Sequence, residues 1–193
     1  MKEISLNGSV RTETGKKFAK QIRREERVPA IVYGGKENLM ITLVERELKD
    51  IIYTPHVYII NLSIDGKTYK AIVKEMQFHP VTDKILHLDL LQVFDDKKLT
   101  VALPVKLTGS AEGAKQGGKL TLTTRKLRVC GFPKDLPEMI EVDVTELGLG
   151  KSRLVSELSF DKFEIIEPKS TVIATVKLTR AARGAAAAAA ETK

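Results

Sequence analysis

The stretch of sequence that decides the fold is YIINLSIDGKTYKAIVKEM, which spans residues 58–76. Apolar residues alternate along both of its arms. The arms meet at Asp65-Gly66, a dipeptide favoured in two-residue β-hairpin turns. We therefore predict two antiparallel strands, Tyr58–Ile64 and Thr68–Met76. This hairpin is the clearest structural signal in the chain.

Upstream and downstream of the hairpin, the first half predicts a mixed order of strands and short helices. A helix follows Thr12 and Thr14, which are suited to cap it, and Pro29 closes it. The other predicted elements are strands at Ile4–Val10, Pro29–Tyr33, Leu39–Val44 and Lys84–Phe94, and a helix at Glu45–Tyr53. Strands outnumber helices in this half, so we expect a small α+β barrel or a curled sheet.

The second half is predicted to be mostly β. The glycines of Gly109–Gly118 indicate a long loop, and Leu147–Leu158 is compatible with a helical turn or a loop. The predicted strands are Leu99–Leu107, Lys119–Cys130, Ile140–Val144, Phe163–Ile166 and Val172–Leu178. The chain as a whole is therefore expected to have an α+β, β-rich fold.

A polar junction, Asp95–Lys98, separates the two halves. It predicts a β-barrel domain with helices at residues 1–94 and a β-rich domain at residues 95–179. Residues 180–193 include six consecutive alanines after a glycine, and so short a segment is marginal as an isolated helix. We expect a disordered tail there.

The composition is that of a globular protein with a mildly basic surface. The 193 residues include 32 Lys and Arg against 25 Asp and Glu, which gives a formal net charge of +7. A single Cys excludes an intramolecular disulfide and is typical of a reducing compartment. No apolar run approaches the ~20 residues that cross a bilayer, and the N-terminus lacks a signal-peptide core. We expect a cytoplasmic protein with an anionic partner such as nucleic acid, and no membrane.

The usual catalytic and cofactor motifs are absent from the sequence. A nucleophile elbow around Ser152 would need Gly where Leu154 stands, and a phosphate-binding loop would need Ser or Thr where Lys17 stands. Cys130 lies in an apolar strand pattern, which favours a small buried side chain over a reactive thiolate. We therefore predict no cofactor and no metal ion.

Two features of the first half suit nucleic acid. The segment Arg11–Arg27 holds seven Lys and Arg, which bind phosphate, although a solvated helix face paired with acidic neighbours fits equally well. Tyr33 precedes Gly34-Gly35-Lys36, so its ring can lie against a ribose or base while the lysine reaches phosphate. The alternative for this second feature is a core tyrosine beside a hairpin turn.

A third feature is His87-Leu88-Asp89. In a strand, residues 87 and 89 point to one face, so the carboxylate can orient the imidazole toward a base edge or a 2′-hydroxyl. The same pair would suit an RNA hydrolase, although no nucleophile or oxyanion donor is identifiable beside it. A hydrogen-bonded surface pair is the third alternative, and these residues alone leave the choice open.

The order of the motifs resolves these alternatives. They are Val10-Arg11, Thr14-Gly15-Lys16, Ile22-Arg23-Arg24-Glu25, Val28-Pro29-Ala30-Ile31-Val32-Tyr33-Gly34-Gly35, Gln77-Phe78-His79-Pro80 and His87-Leu88-Asp89. In this order they resemble the bacterial family of large-subunit ribosomal proteins that bind 5S rRNA. The β-rich second half is similar to the long form of that family, the general stress protein Ctc type.

This resemblance implies a fold and a function. It implies an N-terminal barrel similar to the anticodon-binding domain of glutaminyl-tRNA synthetase. It also implies that the N-terminal barrel of this chain recognises the loop E region of 5S rRNA from the minor-groove side, without catalysis. The implied partners are 5S rRNA, other large-subunit rRNA and neighbouring ribosomal proteins, with one copy per ribosome. The implied RNA-binding residues are Arg11, Lys16, Lys20, Arg23, Tyr33, Lys36, Gln77, His87 and Asp89. Lys20 stands in a helix where many relatives carry Arg.

Overall fold

The structure is a computed structural model that describes residues 1–35 and 37–179. The predictions for Lys36 and for the tail at residues 180–193 lie outside the described residues. Within the described part, no helix is both long and apolar enough to cross a membrane. The chain divides into two compact units. The first is Met1–Val101 with Phe132–Glu138, and the second is Ala102–Gly131 with the described residues from Met139 onward.

The first unit is built around a closed β-barrel. Its elements are β1 (Lys2–Val10), α1 (Lys16–Arg24), β2 (Arg27–Tyr33), β3 (Leu39–Val44), α2 (Glu45–Ile52), β4 (Tyr58–Ile64), β5 (Lys67–Phe78) and β6 (Ile85–Gln92). Around the barrel the strand order is β1-β3-β2-β6-β5-β4. β1 is parallel to β4 and β2 is parallel to β6, whereas the other neighbours are antiparallel. The predicted small α+β barrel is confirmed.

The β4–β5 hairpin forms where the sequence predicts it. Asp65 and Gly66 both have positive φ, 47° and 79°, as the preferred two-residue hairpin turn requires. Inward-facing side chains of the strands pack into one core, in which Ile60, Leu62 and Leu88 are 0% exposed. The tight hairpin and this alternation of buried and exposed residues set the register that places His87 and Asp89, two predicted site residues, on the outside of the barrel.

The helix α1 differs from its prediction at both ends. Its N-cap is Gly15, with φ 108°, and no side chain caps it, so Thr12 and Thr14 do not play that role. The helix ends at Arg24, and Glu26 with φ 56° turns the chain into the next strand. Pro29 therefore lies inside β2 and does not end the helix.

The second unit is mostly β, as predicted. The first of its strands, β7 (Leu99–Thr108), begins in the first unit and continues into the second. The other elements are α3 (Glu112–Lys115), β8 (Lys119–Leu122), β9 (Lys126–Gly131), β10 (Ile140–Asp143), β11 (Ser152–Leu154), a 3₁₀ turn (Val155–Glu157), β12 (Glu164–Ile165) and β13 (Val172–Lys177). The strands form two sheets of order β10-β7-β9-β12 and β11-β13-β8. The β-rich α+β fold class is thus confirmed along the described chain.

Three details of this unit correct the sequence predictions. The strand predicted at Lys119–Cys130 is two strands in different sheets, because the amides of Thr123 and Thr124 both turn to the carbonyl of Ile173. The long glycine loop contains α3, and the ambiguous Leu147–Leu158 stretch contains β11 and the 3₁₀ turn.

Cys130 is half-buried and not fully buried. It alternates in β9 with Val129 and Gly131, whose positions face the core, so the cysteine lies on the outer side of the strand.

Candidate nucleic-acid interface

The outer face of β6 carries an imidazole and a carboxylate side by side. Nδ1 of His87 lies 2.8 Å from Oδ1 of Asp89, and the two side chains are 19% and 32% exposed. Leu88, between them, is fully buried in the barrel core. When the ring donates its Nδ1–H to the carboxylate, its tautomer is fixed and Nε2 is left to bond a ligand. The predicted placement of the pair on one strand face is confirmed.

The neighbouring strand β5 adds polar side chains to this face. In the antiparallel ladder Gln77 is opposite His87, and Glu75 is opposite Asp89. Residues directly opposite in such a pair project from the same side of the sheet. We call the surface formed by Glu75, Gln77, His87 and Asp89, together with Tyr33, the strand face.

Sequence reasoning found Gln77 by its motif but missed Glu75. The register of β5 against β6 shifts between Val73 and Glu75, which leaves Lys74 as an extra residue. A shift of this kind reverses the alternation that assigns residues to faces. Glu75 and Gln77 both follow the shift along β5, so their spacing of two residues puts them on the same face. This spacing is the sequence signal that identifies Glu75.

Tyr33 ends β2, the strand that runs parallel to β6. Its side chain is half-buried, and this burial is the main cause that raises the pKa of its hydroxyl. The negative charges of Asp89 and Glu75 raise that pKa further. The phenol therefore stays protonated at neutral pH and can donate a hydrogen bond to an RNA acceptor.

Beside the strand face lies a cleft of about 390 Å³. Three cationic side chains predicted to bind RNA, those of Arg11, Lys16 and Arg23, line it together with His87. Its remaining walls are Thr14, Gly15, Ala19 and Pro29. We call this the basic cleft. Because His87 belongs both to the cleft and to the strand face, the two surfaces are continuous.

Arg23 is held in place by the barrel. Its Nε–H donates a 3.0 Å hydrogen bond to the carbonyl oxygen of Leu86. The β5–β6 register shifts again at this point, from Gln77 opposite His87 to Phe78 opposite Ile85, so Leu86 is an extra residue in β6. A bulged residue has no partner in the ladder, and its carbonyl is free to accept another donor. One hydrogen bond thus fixes Nε while the terminal nitrogens of the guanidinium stay available.

Arg11 enters the cleft from the end of β1. Its Nε is enclosed and has no hydrogen-bond partner among the described residues. A polar atom that is enclosed without a partner lowers the stability of the fold. Such unpartnered atoms are common among groups that bind a ligand.

The start of α1 adds positive potential to the same cleft. Gly15 and Lys16 line it, the helix has no side-chain cap, and its first turn contains no acidic residue. The free N–H groups of a first helical turn and the positive end of the helix dipole attract anions. The basic cleft therefore suits a phosphate group.

Some predicted site residues lie apart from the cleft. Lys20 is exposed on α1 but does not line the cleft, and Tyr33 and Gln77 belong to the strand face only. Within the described residues, no group of three or more His, Cys, Asp or Glu is placed to hold a metal ion.

Comparison with known proteins identifies the family. Residues 6–90 match the model of the Ribosomal L25p family, and residues 98–180 match that of the ribosomal protein TL5 C-terminal domain. Large ribosomal subunit protein bL25 of Porphyromonas gingivalis is 48% identical over 188 residues, which cover 96% of this chain and 98% of the relative.

Two further relatives agree over nearly the same length. The protein of the same name from Azobacteroides pseudotrichonymphae is 49% identical over 184 residues, which cover 95% of this chain and 97% of the relative. That of Bacteroides thetaiotaomicron is 46% identical over 194 residues, which cover 98% and 99% of the two chains. This chain therefore belongs to the bL25 family of ribosomal proteins, in the long form that carries a TL5 C-terminal domain.

Proposed function

We propose that this protein, a structural constituent of the large ribosomal subunit, binds 5S rRNA through the barrel of its first half. The contact is with the loop E region, from the minor-groove side. Residues 1–94 form the RNA-binding domain in this proposal, and residues 95–179 form a second domain. The other partners are large-subunit rRNA and neighbouring ribosomal proteins, with one copy of the chain per ribosome.

The observation that carries this proposal is the basic cleft continuous with the strand face. Arg11, Lys16 and Arg23 surround a space of about 390 Å³ that is suited to a phosphate. Phosphate contacts supply affinity and orientation in most nucleic-acid complexes but do not read the sequence. The cleft therefore positions the RNA against the adjoining face.

The strand face has the chemistry to read what the cleft positions. A-form RNA has a wide, shallow minor groove that displays 2′-hydroxyls and base edges. Tyr33 supplies a hydroxyl donor, Gln77 an amide that donates and accepts, and His87 a ring held by Asp89. In our proposal these four side chains meet the minor groove, and Lys20 and Lys36 bind flanking phosphates.

The alternative of an RNA hydrolase that uses His87 and Asp89 does not fit the family. bL25 proteins are non-catalytic constituents of the ribosome. The imidazole and carboxylate are accordingly assigned to binding, in which the carboxylate fixes the tautomer that the ring presents to the RNA.

The proposal is tested by titrating the full chain against two RNAs. One is 5S rRNA, and the other is a 5S rRNA in which loop E is replaced by regular Watson–Crick pairs. We expect at least ten-fold weaker binding to the second, because shape and displayed groups of the loop carry specificity. Equal affinity for both would show that loop E is not the target.

A further inference from the structure

Glu75 is the one side chain of the strand face with no function so far. It is exposed on β5, directly opposite Asp89. Asp89 is paired with His87, whereas Glu75 has no ion-pair partner among the described residues. An unpaired carboxylate on the face that adjoins the basic cleft needs a physical reason, because the cleft is suited to anions.

A carboxylate restricts what the strand face can bind. Ionised Glu accepts hydrogen bonds but donates none, and it repels phosphate. Glu75 therefore weakens contact with the RNA backbone, unless it meets a hydrogen-bond donor of the RNA. A donor of the RNA that reaches the outer face of β5 and β6 offsets this repulsion.

The minor groove offers two kinds of donor. Every nucleotide carries a 2′-hydroxyl, which is independent of sequence. Among the base edges that a base pair displays there, only the N2 amino group of guanine donates, since the other groups are acceptors. In a G·C pair one hydrogen of this amino group is bonded to O2 of cytosine, so the groove displays the other hydrogen, which two neighbouring acceptors can share. Cross-strand neighbours have Cβ atoms about 5 Å apart, which is close enough for both carboxylates to contact one such group.

We propose that Glu75 is a specificity-determining residue, which together with Asp89 selects a guanine N2 amino group in the RNA minor groove. This inference rests on the proposed RNA-binding function and adds a base preference to it. Hydrogen bonds in which the acceptor is ionised are roughly twice as strong as neutral ones. A carboxylate at position 75 thus discriminates more strongly for this donor than a neutral acceptor does.

The test uses the full chain and a synthetic RNA with the sequence of the 5S loop E region. Guanosines are replaced one at a time by inosine, which lacks only the N2 amino group. We expect the unsubstituted protein to lose about ten-fold in affinity at one or two positions, as for a good base contact. In Glu75→Gln, this loss at one of those positions falls to about two-fold or less. Affinity for that inosine RNA is unchanged or higher, because the repulsion of phosphate is gone.

Two controls isolate the base contact. Glu141→Gln makes the same change of charge at an exposed strand position of the second unit, and we expect its inosine profile to match that of the unsubstituted protein. Single 2′-deoxy substitutions at the same nucleotides test the ribose. Circular dichroism melting of each variant confirms that the barrel is folded.

The outcomes separate this inference from the proposed function. If the unsubstituted protein does not prefer the loop E RNA, the proposed function itself fails. If it prefers that RNA but Glu75→Gln keeps the full ten-fold inosine effect, Glu75 does not select guanine and this inference is overturned. It is equally overturned if Glu75→Gln loses sensitivity only to 2′-deoxy substitution, since the partner is then a ribose hydroxyl.

Discussion

The Nε–H of Arg23 donates a hydrogen bond to the carbonyl oxygen of Leu86 at 3.0 Å and so links α1 to a bulge in β6. The bond adds to the packing of α1 on the barrel, in which none of the nine helical residues is fully buried. Leu86 directly precedes His87, so the bond joins α1 to β6 beside the residue that the basic cleft and the strand face share. The register shift in β6 thereby helps to position the surface for which we propose RNA binding.

Arg23→Lys should weaken binding of 5S rRNA about ten-fold while it preserves the net charge. Lysine cannot make the Nε–H bond and lacks the planar fork of arginine. The slope of log Kd against log salt should change little, whereas Arg23→Ala should lower it by about 0.7–0.9 for one lost phosphate contact. Arg24→Lys, on the same exposed helix, is the matched control and should bind normally. A normal affinity for Arg23→Lys would contradict the role given to Leu86.

Arg11→Met should separate stability from binding. Because Nε of Arg11 is enclosed without a partner, an apolar side chain of similar length removes a cost, and the free energy of unfolding should stay equal or rise by about 1 kcal/mol. Affinity for 5S rRNA should fall about ten-fold or more. Thermal melting and an RNA titration of the same preparation measure both effects. Arg46→Met on the exposed face of α2 is the control and should change neither. A marked loss of stability in Arg11→Met would show that the side chain is structurally satisfied.

Gly34→Ala should disturb the strand face through the backbone. Gly34 has φ 94°, and a Cβ there would lie 2.7 Å from Cδ1 of Leu91. The positive φ costs about 1–2 kcal/mol for alanine at either glycine. At Gly34 the contact adds to this cost by less than the roughly 1–3 kcal/mol of core overpacking, because Leu91 is half-buried and its terminal methyl can move. Gly66→Ala is the matched control, since its φ is 79° but nothing lies within 4 Å of its Cβ. Urea unfolding, followed by the NMR signals of barrel amides, should show a larger loss in the free energy of unfolding for Gly34→Ala than for Gly66→Ala. RNA binding of Gly34→Ala should also weaken, because Tyr33 shifts. Equal losses would exclude the contact with Leu91.

Tyr33 should deprotonate at a higher pH than an ordinary tyrosine, whose pKa is 10.0. Burial is the main cause, so Asp89→Asn and Glu75→Gln should each lower this pKa only part of the way back. Because folding raises this pKa, the folded state holds the phenol proton more tightly than the unfolded state does. The resulting contribution to the free energy of unfolding is complete below about pH 10 and is lost as the pH rises through the folded-state pKa. Ring carbon shifts of Tyr33, followed by NMR from pH 8 to 12, measure the titration. A midpoint at the ordinary value would show that the ring is open to water and remote from both carboxylates.

The sequence predicts this fold well where local chemistry dominates. Asp65-Gly66 fixes the hairpin, and the alternation around Leu88 places His87 and Asp89 on one face, because both signals depend only on neighbouring residues. The spacing of two residues puts Glu75 on the same face as Gln77, but its position opposite Asp89 follows from a register shift between strands. That shift, and the change of sheet that divides Lys119–Cys130 into two strands, depend on distant partners and have no local signal. The contact between Arg23 and Leu86 spans 63 residues and has no local signature either.

The most direct test of the central claim is an equilibrium titration of the full chain, at physiological salt, against 5S rRNA and against an unrelated structured RNA of equal length. We predict at least a hundred-fold preference for 5S rRNA, which Tyr33→Ala and His87→Ala each reduce about ten-fold with little change in binding to the unrelated RNA. Equal affinity for the two RNAs would show that the cleft binds phosphate without recognition, and it would contradict the account.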